Sequence, residues 1–131
     1  MGKALLLIED DLILVNMYQR LLLNHGYNVH TAINGVDGLK KALQDHPDLI
    51  LLDIRMPKMD GLTMLRYLRK DEWGKSAKVI ILTNLEASDQ ILKEIVVEQP
   101  TYYLVKSNTS PEKVLERIKE VVGEQNNLKT E

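Results

Sequence analysis

Short apolar runs alternate with longer stretches of helical spacing along the chain, and this alternation restricts the fold more than any other feature of the sequence. Four runs stand out, and they lie at Ala4–Ile8, Leu49–Leu52, 79–82 and Tyr102–Val105. A weaker fifth run covers residues 27–32. The first three of the four lack polar alternation, which is typical of strands buried on both faces, as in parallel sheets.

The stretches after these runs have apolar residues one helical turn apart, which predicts five helices. The apolar positions are Leu14, Tyr18, Leu21 and Leu22; Val36, Leu39 and Leu43; Leu62, Leu65 and Leu68; Ile91, Leu92, Ile95 and Val96; Val114, Ile118, Val121 and Val122. The last helix has two alternative start signals. Ser110 before Pro111 suits an N-cap, and Thr109 with Glu112 suits a capping box. Strand and helix alternate five times, which favours a doubly wound parallel sheet with helices on both faces.

The length and charge of the chain exclude several classes of protein. Its 131 residues fit one domain, which we place at residues 1–124 with a polar tail at 125–131. The chain has 17 Lys and Arg against 19 Asp and Glu, so it lacks the basic excess typical of nucleic-acid-binding domains. The absence of cysteine excludes disulfides and zinc–thiolate sites. No apolar run approaches the roughly 20 residues of a membrane span, and we expect a cytoplasmic protein.

Polar residues follow four of the five predicted strands. In open α/β sheets, binding sites form beyond the carboxyl ends of the strands, so these residues are expected to meet at one edge. They are Glu9, Asp10 and Asp11 after the first strand, Asp53 after the third, Thr83 and Asn84 after the fourth, and Lys106 and Ser107 after the fifth.

The acidic residues at this edge favour a hard divalent cation. Carboxylates packed together repel one another, and Mg²⁺ binds such oxygen ligands. Helix capping by the acidic triplet after the first strand is an equally good interpretation at this point. Asp53 suits a metal ligand, a cap or a nucleophile that attacks phosphoryl groups, and Lys106 suits the balancing cation.

Four segments of the sequence resemble the receiver domains of two-component response regulators. They are LLLIEDD at 5–11, LLDIRMPKMDG at 51–61, VIILT at 79–83 and YYLVK at 102–106. The D-x-x-M-P-x-M-D-G run is highly specific, and the resemblance covers roughly residues 3 to 122. It implies a flavodoxin-like sheet of strand order 2-1-3-4-5 with five flanking helices.

The resemblance also implies a role for each matching site residue. Asp53 would be the phosphoacceptor, and Mg²⁺ would be held by Glu9, Asp10, Asp53 and the backbone carbonyl of Arg55. The phosphoryl group would be bound by Thr83, the backbone of Asn84 and Lys106. Thr83 and Tyr103 would form the switch.

The function implied is a phosphorylation-dependent signalling switch. A sensor histidine kinase or a histidine phosphotransfer protein would phosphorylate Asp53, and the face formed by the fourth helix, fifth strand and fifth helix would then shift. The protein would catalyse its own phosphorylation and dephosphorylation but turn over no separate substrate. It would act on an unknown downstream protein or on a missing output domain. A phosphorylation-dependent homodimer is a further alternative.

Two residues depart from the family pattern, and Arg55 and Leu85 occupy positions that tune phosphorylation and dephosphorylation rates in the family. Ser107 replaces the usual proline after the lysine, and we expect a trans peptide bond there. Asn84 replaces a small residue, and Leu85 lacks a polar group to position water, which predicts slow self-hydrolysis. These departures keep open a degenerate receiver that acts as a phosphorylation-independent interaction module.

Two other classes fit less well. An aspartyl phosphatase would need a second Asp where Arg55 stands. A flavodoxin-like cofactor carrier would need a phosphate-binding loop where the acidic triplet stands.

Overall fold

A computed structural model describes residues 2–123 and shows one five-stranded parallel sheet in the order β2-β1-β3-β4-β5. The strands are β1 (Ala4–Ile8), β2 (Asn28–Ala32), β3 (Leu49–Leu52), β4 (Val79–Thr83) and β5 (Tyr102–Val105). The helices that follow them are α1 (Leu12–Asn24), α2 (Gly35–Asp45), α3 (Gly61–Arg69), α4 (Asp89–Val97) and α5 (Pro111–Val122). The predicted strand order and helix number are confirmed, while the predicted tail at 125–131 lies outside the described residues. Between residues 2 and 123, no helix has the length and apolarity that crossing a bilayer requires.

Both faces of the three central strands, β1, β3 and β4, are buried, as the continuous apolar runs predict. In β1, Leu6 and Ile8 pack into one cluster, and Leu5 and Leu7 pack into a second cluster on the opposite face. The side chains of β3 are fully buried on both sides. Burial of a Leu or Ile side chain contributes about 1.5–3 kcal/mol each, so these central strands form a rigid base for the loops at their carboxyl ends.

Each helix begins with a polar side chain that accepts a backbone N–H of its first turn. The five N-cap residues are Asp11, Asn34, Asp60, Ser88 and Ser110. Ser110 accepts from the Lys113 N–H, which decides the start of α5 in favour of the Ser-Pro signal. The caps all lie at the carboxyl edge of the sheet, where they fix the entry of each helix beside the predicted site.

Arg69 at the end of α3 connects that helix to the segment after α4. Its guanidinium donates to the carbonyl oxygens of Glu98 at 2.7 Å, Gln99 at 3.1 Å, Gly74 at 2.8 Å and Ala77 at 2.7 Å. Burial lowers the pKa of Arg69, and the nearby Glu98 charge partly opposes that effect. The Arg69 side chain therefore connects the end of α3 to the segments before β4 and before β5, at the amino edge of the sheet.

The aromatic pair His46 and Trp73 also lies at the amino edge. Their rings stack with centroids 4.3 Å apart and planes 11° from parallel. His46 follows α2, just before β3, and Trp73 lies between α3 and β4. His46, like His25 and His30, is exposed.

Candidate functional site

The sheet register brings the predicted site residues to one edge. Ile8 of β1 pairs with Leu52 of β3, so the residues that follow them, Glu9 and Asp53, are neighbours. The Asp53 N–H donates to the Ile8 carbonyl at 3.0 Å, which fixes the backbone of the predicted phosphoacceptor. On the other side of β3, Thr83 of β4 is paired with Val105 of β5, and Lys106 follows.

Three carboxylates at this edge form a cluster suited to a cation. Glu9, Asp10 and Asp53 each offer one oxygen, and these oxygens all lie within 4.8 Å of one another. Glu9 and Asp53 are buried, whereas Asp10 is exposed. Oxygen ligands on the sheet edge with one side open to solvent fit Mg²⁺, which keeps several waters. The donor set therefore fits the ion that the sequence predicts.

The third residue of the acidic triplet has a different task. The Asp11 carboxylate accepts the N–H groups of Ile13 at 3.0 Å and Leu14 at 3.4 Å, so it caps α1. The Asp11 N–H donates to Glu9 Oε2 at 3.0 Å and orients that carboxylate. The capping interpretation is thus confirmed for Asp11, whereas Glu9 and Asp10 belong to the acidic cluster.

Lys106 lies between the two buried carboxylates. Its Nζ is 2.6 Å from Glu9 Oε1 and 3.1 Å from Asp53 Oδ2. The expected approach of Lys106 to Asp53 is confirmed, and the pair with Glu9 is an addition that sequence reasoning missed. The second Asp53 oxygen, Oδ1, accepts the Ile54 N–H at 2.7 Å. With three carboxylates and one ammonium, the site has a formal charge of −2, which matches a divalent ion.

The electrostatics of these groups follow from burial and proximity. Burial raises the pKa of the Glu9 carboxyl and the Asp53 charge adds to that rise, while the Lys106 ammonium opposes it. Burial lowers the pKa of Lys106, but the Glu9 and Asp53 carboxylates outweigh it and the net pKa is raised. Lys106 is therefore held charged, and the two carboxylates compete for one ammonium.

Contacts around the loop after β4 link Thr83 to Tyr103. Thr83 is buried, and its Oγ1 accepts the Leu85 N–H at 3.2 Å. The Tyr103 hydroxyl donates to the Leu85 carbonyl at 2.8 Å. Burial raises the pKa of Tyr103, and the Asp53 charge contributes to that rise. The two predicted switch residues therefore contact the same residue, Leu85.

The remaining predicted site residues lie in the adjoining loops. Arg55 lies two residues after Asp53 with an exposed side chain, and Asn84 is exposed after Thr83. The Ser107 N–H donates to Asn84 Oδ1 at 3.1 Å. The peptide bond before Ser107 is trans, as expected, since residues 2–123 contain no cis bond. No sequence motif indicates the contact between Asn84 and Ser107.

Gly61 closes the loop that starts at Asp53. Its N–H donates to the Ile54 carbonyl at 2.7 Å. A Cβ at this position would lie 2.2 Å from the Asp53 carbonyl oxygen, closer than any side chain tolerates. The Asp60-Gly61 pair is therefore structural, because Asp60 caps α3 and Gly61 allows α3 to pack on the backbone of Asp53.

Comparison with known proteins agrees with this geometry. The family model described as the response regulator receiver domain matches residues 5–119. The chemotaxis protein CheY of Treponema pallidum is 37% identical over 120 residues, which cover 89% of this chain and 81% of that protein. The transcriptional regulator RpaA of Synechocystis is 40% identical over 81 residues, which are 62% of this chain but only 34% of that protein.

A solved structure adds a comparison at the level of the fold. The receiver domain of the Pseudomonas aeruginosa sensor histidine kinase PA1611 superimposes with a TM-score of 0.83 at 25% identity, over 94% of this chain and 99% of that one. That structure has a magnesium ion coordinated in its active-site cleft. The chain described here is a member of the response regulator receiver domain family.

Proposed function

We propose that this protein is a phosphorylation-dependent switch in which Asp53 accepts a phosphoryl group from a phosphohistidine of a sensor kinase or a histidine phosphotransfer protein. The observation that carries this proposal is the Lys106 ammonium 3.1 Å from the Asp53 carboxylate, within a cluster of three acidic side chains. A buried aspartate held between a fixed lysine and a cation site has the charge balance that an acyl phosphate needs. We place the receiver domain at residues 1–124 and a polar tail at 125–131.

Phosphoryl transfer to Asp53 breaks one bond to phosphorus and forms another. The P–N bond of the phosphohistidine breaks, its electron pair returns to the imidazole nitrogen, and a P–O bond forms to Asp53. Glu9, Asp10, Asp53 and the Arg55 carbonyl would hold Mg²⁺, which would supply positive charge at the phosphoryl oxygens. Lys106 adds an ammonium that needs no reorganisation, because it already lies at Asp53. The chain hastens the gain and loss of its own phosphoryl group and turns over no other substrate.

Thr83 and Tyr103 would relay the phosphorylation signal. In the proposed phosphorylated state the Thr83 hydroxyl and the Asn84 N–H donate to the phosphoryl oxygens, which draws Thr83 towards Asp53. Leu85 bonds to both Thr83 and Tyr103, so this displacement changes the position of the tyrosine. A few kcal/mol of difference between the two states is enough to make one of them dominant.

The face that responds would be the one formed by α4, β5 and α5. Val96 is 67% exposed and Val97 is 73% exposed on α4, which leaves an apolar strip without cover among the described residues. The strip lies on the helix that follows the Thr83 loop, so its position depends on the switch. We propose that a downstream protein binds this strip. If the protein instead dimerises on phosphorylation, its sedimentation coefficient should increase when it is phosphorylated.

The phosphodonor would cover the rim around Asp53. Leu12 is 61% exposed and Ile13 is 80% exposed at the start of α1, directly after the acidic triplet. A protein that brings a phosphohistidine to Asp53 has to contact this rim, whereas a small donor does not. Ile13→Ser should therefore leave labelling by a small acyl phosphate unchanged while it weakens transfer from a protein donor.

Intact-mass measurement after incubation with Mg²⁺ and a small acyl-phosphate donor tests the central claim. The wild type should gain one phosphoryl group, and Asp53→Asn should gain none. Asp60→Asn is a matched control in the same loop, because Asp60 caps α3 and is exposed; it should be labelled like the wild type. Labelling of Asp53→Asn, or an unlabelled wild type, would contradict the proposal, and the second result would favour a phosphorylation-independent interaction module.

A further inference from the structure

One hydrogen bond connects the loops that follow β4 and β5. The backbone N–H of Ser107 donates to Oδ1 of Asn84 at 3.1 Å across 23 positions of sequence. Both residues are exposed, so the contact is not a by-product of core packing. The bond exists only because of the residue types at its two ends. Proline at 107 would have no N–H, and alanine or glycine at 84 would have no side-chain acceptor.

The position of this bond at the end of the sheet gives it a mechanical role. The pairing of β4 with β5 ends at Thr83 and Val105. Asn84 and Ser107 come one and two residues later on the two strands, where the ladder no longer holds the backbones together. The bond continues the connection between β4 and β5 past the last ladder pair. It therefore limits how far the two loops separate.

The two loops directly follow two predicted site residues, of which Lys106 contacts Asp53. Asn84 directly follows Thr83, and Ser107 directly follows Lys106. The Lys106 ammonium contacts Glu9 at 2.6 Å and Asp53 at 3.1 Å, so a small displacement of its backbone changes both distances. Ser107 lies in the short 3-10 helix Lys106–Asn108, whose first residue is the lysine itself. A fixed Ser107 N–H therefore fixes the backbone from which the ammonium extends.

We propose that the side chain of Asn84 is a positioning residue for Lys106, acting through the Ser107 N–H. The effect on phosphorylation rests on the function proposed above, whereas the coupling between the loops does not. The Asn84 side chain is directed to Ser107, and its contribution is to hold the ammonium in place before the phosphodonor arrives. Preorganisation of this kind acts on the rate of the chemical step rather than on donor binding.

Amide hydrogen exchange in the metal-free, unphosphorylated protein tests the coupling directly. Asn84→Ala removes the acceptor, so the Ser107 N–H should exchange about threefold to tenfold faster, the range that corresponds to one net hydrogen bond. Asn84→Asp keeps an acceptor oxygen and should restore slow exchange. Because Asn84 is exposed, both variants should fold like the wild type. Unchanged exchange at Ser107 in Asn84→Ala would overturn the proposal.

A double-mutant cycle tests the consequence for phosphorylation. With saturating Mg²⁺ and a small acyl-phosphate donor, Asn84→Ala should lower the maximal labelling rate about threefold to tenfold and leave the half-saturating donor concentration unchanged. In a Ser107→Pro background, which lacks the N–H, the same substitution should change the rate less than about twofold. Equal effects in both backgrounds would overturn the positioning role. If the wild type is not labelled at all, the proposed function fails, and the exchange data alone decide the coupling.

Discussion

The Nζ of Lys106 lies closer to Glu9, at 2.6 Å, than to Asp53, at 3.1 Å. In the strand order, β1 and β5 are separated by β3 and β4, so the lysine side chain reaches across the sheet edge to the acid of β1. One ammonium therefore serves two buried carboxylates. Because the ammonium is shared, the charge balance of the site depends on this single side chain.

Replacement of Lys106 by Met should destabilise the metal-free protein. The substitution leaves the buried Glu9 and Asp53 carboxylates without a counter-charge, which costs about 3–5 kcal/mol. Urea unfolding with a chelator measures this loss, and added Mg²⁺ should recover more of the free energy of unfolding in Lys106→Met than in the wild type. Lys113→Met is the control, since its pair with Glu116 at 3.7 Å is exposed and should cost less than about 1 kcal/mol. Equal losses for the two variants would refute the shared-ammonium interpretation.

The lifetime of the phosphorylated form should depend on Leu85. The Leu85 side chain packs against the buried cluster that contains Ile81 and Ile95, and it has no group that orients an attacking water. Leu85→Glu supplies such a group and should shorten the lifetime about tenfold or more. Leu85→Met keeps the apolar contact and should leave the lifetime unchanged. Loss of the phosphoryl group, followed by intact mass after donor removal, gives the rates, and equal rates in wild type and Leu85→Glu would reject the prediction.

Arg69 should contribute far more to stability than Arg66, although both lie in the last turn of α3. Arg69 donates to four backbone carbonyls, and hydrogen bonds to a charged group are worth about 1.5–3 kcal/mol each. Arg69→Met leaves these carbonyls without that donor, so the free energy of unfolding should fall by about 3 kcal/mol or more. Arg66→Met breaks an exposed pair with Glu94 and should cost less than about 1 kcal/mol. Chemical denaturation measures the free energy of unfolding of both variants. A similar loss in each would contradict the stabilising role of the four Arg69 hydrogen bonds.

Alkaline stability should reflect the buried phenol of Tyr18. Burial raises the pKa of Tyr18 to about 12, and the Glu112 and Glu9 charges contribute. The folded phenol keeps its proton where the unfolded one, with a pKa of 10.0, releases it. Its contribution is therefore fully present below pH about 10 and is lost as the pH rises towards about 12. Urea unfolding across this interval should show a shallower decline in Tyr18→Phe than in the wild type.

Tyr67→Phe provides the matched comparison, because the Tyr67 side chain is 51% exposed. Its stability should decline with pH as steeply as that of the wild type. A wild-type slope in Tyr18→Phe would show that another group is responsible for the alkaline loss.

The strands of the central sheet could be predicted closely because their burial on both faces leaves a continuous apolar run in the sequence. Ala4–Ile8, Leu49–Leu52 and Tyr102–Val105 match the structure residue for residue. The fourth strand extends one residue further, to Thr83, and the second begins at Asn28 rather than Tyr27. Such ends depend on hydrogen bonds to neighbouring strands, which the sequence pattern does not contain.

Helix α4 shows that apolar periodicity predicts a helix but not which of its apolar residues are buried. Its apolar residues predict a helix correctly, but they form a stripe wider than the buried face. Only Ile95 is fully buried, whereas Val96 is 67% exposed. Spacing shows that a helix is amphipathic, and packing decides which part of a wide stripe is covered.

The site was predictable in its residue types but not in its internal pairing. The ends of parallel strands meet at one edge, so the cluster of Glu9, Asp10 and Asp53 follows from the strand order. Which acid of the triplet caps α1 depends on side-chain directions at the end of β1, and the contact of Lys106 with Glu9 depends on the reach of one rotamer. Neither leaves a pattern in the sequence.

The stacked pair of His46 and Trp73 has a practical consequence for spectroscopy. Trp73 is the only tryptophan of the chain, and it lies before β4, at the opposite edge of the sheet from Asp53. Its fluorescence should therefore stay unchanged when the acidic pocket binds a cation or a phosphoryl group. A change of emission on addition of a phosphodonor would mean that the effect of the phosphoryl group crosses the full length of the strands.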